Sequence, residues 1–130
     1  MGYRASQTDA NIFVSFEHMN QMLDATQEYE NMYPRFSGKP SQFTTIQQAM
    51  DYYFWSVDID EVDGEKCIIE IHFTGEKIRS EKKFLKVIAP YVDPGSYIEM
   101  CGEDGCMWRW TFNDNTCYEL SPEIIWPERP

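Results

Sequence analysis

YIEMCGEDGCMWRWTFNDNTCYEL, residues 97–120, is the stretch whose reading decides the fold. Three runs of alternating apolar and polar residues are separated by two turn signals, the pattern of an antiparallel meander. The first turn reads as a three-residue loop, with Glu103-Asp104-Gly105 after Gly102 and Gly105 left-handed. The second reads the same way, with Asn113-Asp114-Asn115 after Phe112 and Asn115 left-handed, a conformation asparagine tolerates. These loops set a register. Ile98, Trp110 and Tyr118 form one row of a face, and Met100, Trp108 and Leu120 the next, which makes both tryptophans core residues. Glu99, Arg109 and Glu119 line up on the opposite face, a cation between two anions. A one-residue slip would set Trp108 beside Glu99, so turn chemistry and face chemistry agree.

Upstream, the pattern changes period. Ile12 to Phe16 reads as a short strand, and Ser15 suits the cap of a helix over residues 16–31, with Met19, Met22, Leu23 and Tyr29 on its apolar stripe. Pro34 to Ser41 is a loop by composition, after which Thr44 or Thr45 caps a second helix through Ile46, Ala49, Met50 and Tyr53. WSVDIDEVDGEKCIIEIHF, residues 55–73, alternates as a hairpin about Asp63-Gly64. Its return strand sets Cys67, Ile69, Ile71 and Phe73 on one face and Ile68, Glu70 and His72 on the other. Ser80 caps a third helix with Phe84, Leu85, Ile88 and Tyr91 inward, ended by Pro90 and Pro94-Gly95. The expected fold is α+β in a single domain, residues 1–130: an antiparallel sheet of about five or six strands with helices on one face, ending in the three-strand meander.

The run YIEMCGEDGCMWRWTF, preceded by IAPYVDPGS and followed by Pro122-Glu-Ile-Ile-Trp126, resembles a module of small uncharacterised proteins of bacteriophages and mobile elements of Firmicutes and related bacteria. The likeness spans roughly residues 70–126, and its most specific pieces are the Gly-Glu-Asp-Gly turn and the Trp-Arg-Trp strand. Such modules carry Asp-Gly at the second turn, where this chain has Asp114-Asn115. The resemblance implies a mobile-element origin and brings no catalytic residue with it.

Charge is the main functional signal. Twenty-two acidic against eleven basic residues leave a net charge of −11. One segment opposes it: Lys77, Arg79, Lys82, Lys83 and Lys86 against Glu81 give a local +4, leaving −15 for the rest. Such a field repels phosphate, so direct DNA binding is not expected. An aromatic fraction of 15% argues for a folded chain rather than an acidic disordered one. There is no apolar run of membrane-spanning length, and the opening MGYRASQTDANIFVSF lacks a basic-then-apolar leader, so no membrane association and a cytoplasmic place in a bacterial host are expected. Met1-Gly2 with Ser6 at the sixth position matches the short acylation motif, which recurs by chance.

Catalytic and metal patterns are weak. Cys101, Cys106 and Cys117 have four and ten residues between them in turn, without the tight pair that structural zinc prefers. The expected register sets Cys106 on the tryptophan face and Cys101 and Cys117 on the other, at different heights, so four free thiols are expected. His18 and His72 have no flanking nucleophile motif. From Asp58, the acidic run places Val62 and Asp63 where a calcium loop needs an oxygen ligand and a glycine. No catalytic residue, metal ligand or cofactor is assigned, and a small Cys- or metal-dependent enzyme is the least favoured class.

The acidic run itself is the candidate site. Asp58, Asp60, Glu61, Asp63 and Glu65, continued by Glu99, Glu103, Asp104 and Glu119, offer a line of carboxylates that a basic nucleic-acid groove would accept. Lys82, Lys83 and Lys86 are a second candidate contact patch. The expected function is a non-enzymatic inhibitor that binds a host defence nuclease, such as an anti-CRISPR protein blocking a Cas effector. The alternatives are an anti-restriction protein and a general protein-interaction module.

Overall fold

Apolar residues recurring at two periods, two and about 3.6, sort the described residues into seven strands and three helices. The computed structural model describes residues 3–36 and 38–128. Met1 and Gly2 of the acylation motif, Ser37 of the Pro34–Ser41 loop and the last two positions lie outside the described residues. The order is β1 (Tyr3–Asn11), α1 (Phe16–Met32), α2 (Ile46–Tyr52), β2 (Trp55–Val62), β3 (Glu65–Phe73), β4 (Lys77–Ile78), α3 (Glu81–Ile88), a short 3₁₀ turn (Ala89–Tyr91), β5 (Tyr97–Gly102), β6 (Met107–Asn113) and β7 (Thr116–Leu120). The class is α+β. A five-stranded antiparallel sheet has the order β4-β1-β5-β6-β7, and β2 and β3 form a separate hairpin.

The first turn of the meander forms as its glycines dictate. Gly102 N–H donates to Cys106 O at 2.8 Å, Gly105 N–H donates to Gly102 O at 3.0 Å, and Gly105 stands at φ +84°. Ile98 then faces Trp110, Glu99 faces Arg109 and Met100 faces Trp108. Gly102 has a second duty: a Cβ there would overlap the Tyr3 ring and hydroxyl, so the turn clasps β1 through a glycine that only glycine can fill.

The second turn differs from expectation. Asp114 and Asn115 both take positive φ, 54° and 60°, and the loop has two residues between Asn113 and Thr116. This is a type I′ turn, whose twist matches that of the flanking strands, and Asp and Asn tolerate it. The register of β7 therefore slips by one residue. Trp110 faces Glu119 and Arg109 faces Leu120. Cys117 turns inward beside Phe112, while Tyr118 and Leu120 are exposed. Glu119 leaves the expected charge row and accepts from Trp110 Nε1 at 3.1 Å.

Two further departures lie upstream. The first strand is the polar run Tyr3–Asn11 rather than Ile12–Phe16. Its inward positions are small or polar, so its alternation is invisible to an apolar count, whereas Ile12 and Val14 are buried in the link to α1. In the hairpin, a bulge falls where Asp58 pairs with Glu70 and Ile59 pairs with Ile68. Ile69 becomes the extra residue, and Ile68 rather than Ile69 is fully buried.

The hairpin runs alongside β1 without a backbone ladder. Gln7 joins them: its Nε2 donates to Ile71 O at 2.9 Å and its Oε1 accepts from Phe73 N–H at 2.9 Å. One amide side chain thus supplies the donor and acceptor of two ladder bonds. It does so next to the point where β1 itself shifts register between Gln7 and Asp9. Ala5 N–H to Glu76 O and the Val14–Ile68 bridge continue the same antiparallel alignment.

The core lies between sheet, hairpin and helices. Trp55 and Trp110 are buried and meet edge to face at 6.2 Å, with Phe73, Phe112, Ile98, Met100, Met50 and Leu85 around them. Trp108, expected in the core, is only partly buried against Tyr3 and Trp110. Thr45 caps α2 by accepting from Gln48 N–H at 3.1 Å, and Gln48 Oε1 accepts from Thr44 N–H at 2.9 Å in return.

The long connection from α1 to α2 is held by two α1 side chains. Gln27 donates to Ser41 O and accepts from Phe43 N–H, each at 2.8 Å. Glu30 is 1% exposed and accepts four hydrogen bonds: from Arg35 N–H at 3.0 Å, Ser41 N–H at 2.8 Å, Tyr52 Oη at 3.1 Å and Tyr53 Oη at 3.3 Å. A buried carboxylate is costly unless its lone pairs are met, and here all four are. Burial, followed by the Glu30 charge, pushes the Tyr53 hydroxyl well above its ordinary pKa, which keeps it a donor.

Candidate interaction site

The hairpin tip carries the acidic run as the sequence placed it. Asp58, Asp60, Glu61, Asp63 and Glu65 are all exposed. The Asp63-Gly64 turn uses positive φ at both residues, 54° and 83°, so the two strands close directly behind the carboxylates. Asp60 Oδ1 accepts from Glu61 N–H at 2.8 Å, and among the described residues no ion pair forms at the tip. The register adds a residue that sequence reasoning left out. Glu70 stands directly opposite Asp58 and is exposed. Like charges directly opposite one another in a ladder destabilise it. Lys66, opposite Glu61, is the one cation on these facing strands.

The other expected carboxylates are elsewhere and engaged. β3 runs antiparallel to β1, so the tip lies beyond one end of β1, while Glu103 and Asp104 lie at the other, beside Arg4 and Tyr3. The nine residues of β3 separate them, roughly 30 Å at about 3.3 Å per residue. Asp104 accepts from the Tyr3 hydroxyl and from Cys106 N–H, and these bonds hold its carboxyl below the usual range. Glu99 accepts from Thr8 Oγ1 at 2.8 Å and from Arg109 Nε at 3.0 Å, and both hold its pKa down. The continuous line of carboxylates expected from Asp58 to Glu119 is therefore broken into a free tip and separate, internally satisfied groups.

Lys82, Lys83 and Lys86 are exposed on α3, which packs against β7. The four cysteines are unpaired: Cys67 and Cys117 are buried, Cys101 is half-buried and Cys106 is exposed. Cys117 sits level with Phe112 on the core face, not level with Thr111 on the outer face as expected. Cys101 is level with Met107, so the two remain about 17 Å apart along the strands. Burial pushes the Cys117 thiol up to about 11. His18 Nδ1 meets Ser15 Oγ at 3.2 Å, a contact across the first turn of α1. Among the described residues no three His, Cys, Asp or Glu side chains are arranged to hold a metal ion. No helix among them is long and apolar enough to cross a membrane.

A second surface escaped the sequence altogether. Met32, Tyr33 and Phe36 follow one another at the end of α1 and into the next loop, each more than 60% exposed. Beside them stands Phe54, 39% exposed, at φ +70°. Phe54 follows the C-cap of α2, the position where glycine is favoured, and a side chain there costs about 1–2 kcal/mol. The Arg35 guanidinium lies 4.5 Å from the Phe54 ring centroid. Met, aromatic residues and Arg are the types enriched at protein interfaces.

Compared with protein-family models, with curated proteins and with solved structures, the chain matches none. The functional reading rests on its surfaces.

Proposed function

We propose that this chain is a non-enzymatic inhibitor of phage or mobile-element origin that blocks a host defence nuclease, such as a Cas effector, by placing its acidic hairpin in the enzyme's nucleic-acid groove. The observation that carries this reading is the charge spacing at the tip. Asp58 to Val62, the end of β2, spans about 14 Å of strand, with Asp63 following in the turn. Over that length stand Asp58, Asp60, Glu61, Asp63, Glu65 and Glu70, offset by Lys66. Five net charges over about 14 Å is roughly one per 3 Å, between the spacing along one nucleic-acid strand and that of a duplex. That density supports a nucleic-acid groove as the target of the tip. Folding does not account for the cluster, since Asp58 opposes Glu70 and the tip carboxylates have no ion-pair partner among the described residues. The mobile-element origin rests on the resemblance of residues 70–126, and a bacterial cytoplasmic setting goes with it.

The test compares the wild-type chain with the triple variant Asp60→Asn, Glu61→Gln, Asp63→Asn. Binding to a purified Cas effector and to a restriction enzyme is measured over a range of salt. Wild-type affinity should fall steeply with salt, and the variant should lose at least about tenfold at low salt. Equal affinity of the two proteins, with weak salt dependence, rules the hairpin out as a nucleic-acid mimic. A restriction enzyme as the tighter partner moves the target from anti-CRISPR to anti-restriction with the same chemistry.

A second reading, a general protein-interaction module, is favoured by Met32, Tyr33 and Phe36. Three exposed apolar side chains within five residues exceed what a solvated loop needs. Under that reading Tyr33→Ser with Phe36→Ser abolishes partner binding and the acidic triple variant does not.

A further inference from the structure

The basic segment that begins at Lys77 has no aromatic residue of its own for stacking until the helix core, yet the fold supplies one. Phe54, Thr74, Gly75, Glu76, Lys77 and Arg79 enclose a surface pocket of about 350 Å³. Its wall is an exposed ring held at φ +70°, a backbone conformation that gains nothing locally from a phenylalanine. The ring is not in the core cluster and keeps 39% of its surface exposed. Arg35 lies over this ring at 4.5 Å and orients it. Lys77 and Arg79 stand on the same pocket, and Thr74 N–H donates to Phe54 O at 2.8 Å, which ties the Phe54 backbone to the segment that leads into Lys77 and Arg79. Gly75 lets the backbone pass close to the buried Phe73 ring, which a Cβ there would meet at 2.6 Å. Glu76 also lines the pocket and opposes an anion, leaving Lys77 and Arg79 in excess by one charge within it, with Arg35 beyond.

We propose that this pocket binds a nucleotide, with the base stacked against Phe54 and the phosphate held by Lys77 and Arg79. An aromatic face with adjacent cations is the usual recognition of a base and its phosphate. A free mononucleotide is favoured over a nucleic-acid strand, because the net charge of −11 repels a polyanion far more than one phosphate. The site is separate from the acidic hairpin and does not depend on the inhibitor reading.

The experiment is calorimetric titration of the full chain with AMP, with ribose 5-phosphate and with a short single-stranded oligonucleotide. AMP should bind, and ribose 5-phosphate should bind at least about tenfold more weakly because it lacks the base. Phe54→Gly should remove that difference while the unfolding midpoint holds or rises, since glycine suits the left-handed position. Phe54→Leu, which keeps apolar bulk, should lose AMP binding equally. Lys77→Gln with Arg79→Gln should weaken both AMP and ribose 5-phosphate, and Glu76→Gln should tighten them. No saturable AMP binding at millimolar concentration overturns the proposal, as does wild-type AMP affinity in either Phe54 variant. Tighter binding of the oligonucleotide than of AMP overturns the assignment to a free nucleotide.

Discussion

Glu30 and the hairpin tip hold carboxylates in opposite ways. At Glu30 one carboxylate is buried and receives four donors from a loop and two tyrosines. At the tip, Asp58 to Glu65 place five carboxylates in water with no ion pair among the described residues, and a sixth at Glu70 faces one of them. The first arrangement lowers the energy of this fold and leaves nothing for a partner. The second raises it slightly and leaves everything for a partner. Charge count alone does not tell these apart; the donors around each group do.

Removing the Glu30 carboxylate should produce the largest effect. Glu30→Ala leaves two hydroxyls and two backbone N–H groups without this partner; Tyr53 is buried and the others half-buried, so denaturant unfolding should show a loss of roughly 3 kcal/mol. Glu30→Gln should lose less, because one oxygen still accepts. A near-neutral Glu30→Ala would erase the distinction between the two regions.

Gln7→Ala should rank next. Ile71 O and Phe73 N–H lose their partner, which should cost about 1–3 kcal/mol. The sharper readout is hydrogen exchange: amides of β2 and β3 should exchange faster while those of β5 and β6 hold. Uniform acceleration would mean that the hairpin and the sheet open as one unit.

The acidic triple variant should change stability by less than about 0.5 kcal/mol per site, with relief of repulsion read as a gain. Its partner affinity should fall by at least about tenfold, near 1.4 kcal/mol. A stability loss comparable to that of Glu30→Ala would make the tip a structural element.

The smallest effect is expected at Asp104, which is exposed yet bonded to Tyr3 and Cys106. Its bond and its charge raise the Cys106 thiol pKa, so less thiolate is present near neutral pH. Asp104→Asn should therefore speed alkylation of Cys106 several-fold, with Cys117 and Cys67 still protected by burial. Thiol counting in denaturant without reductant should find four.

Where a single residue has a single role, the sequence was legible. Gly105 forces the first meander turn, Thr45 caps α2, and Asp63-Gly64 closes the hairpin, all as read. Asp114-Asn115 serves two loop lengths equally well, and the twist of the assembled strands chose the shorter. The bulge at Ile69 follows from how the hairpin meets Val14, a contact between segments far apart in sequence. Glu30 on a helix reads as solvent-facing, because nothing local announces that Arg35, Ser41, Tyr52 and Tyr53 will converge on it. The site was legible in part for the same reason. Consecutive acids at a turn identify the tip, but only the register brings Glu70 opposite Asp58, and only the fold sets Phe54 against Lys77 and Arg79.

The Gln7 junction has an evolutionary corollary. A strand joined by a full ladder cannot be lengthened, shortened or re-registered without disturbing its neighbour. The β2–β3 hairpin is instead fastened to β1 by the Gln7 amide, to the link before α1 by the Val14–Ile68 bridge, and by its packed base. Among the described residues, positions 59–67 at the outer end of the hairpin form no strand pairing with the main sheet. The outer half of the hairpin is thus an exchangeable cartridge: substitutions, insertions or a grafted loop between Ile59 and Cys67 leave the meander and the Trp55–Trp110 contact intact. A lineage under pressure from a changing target could rewrite its recognition surface there at little cost to folding.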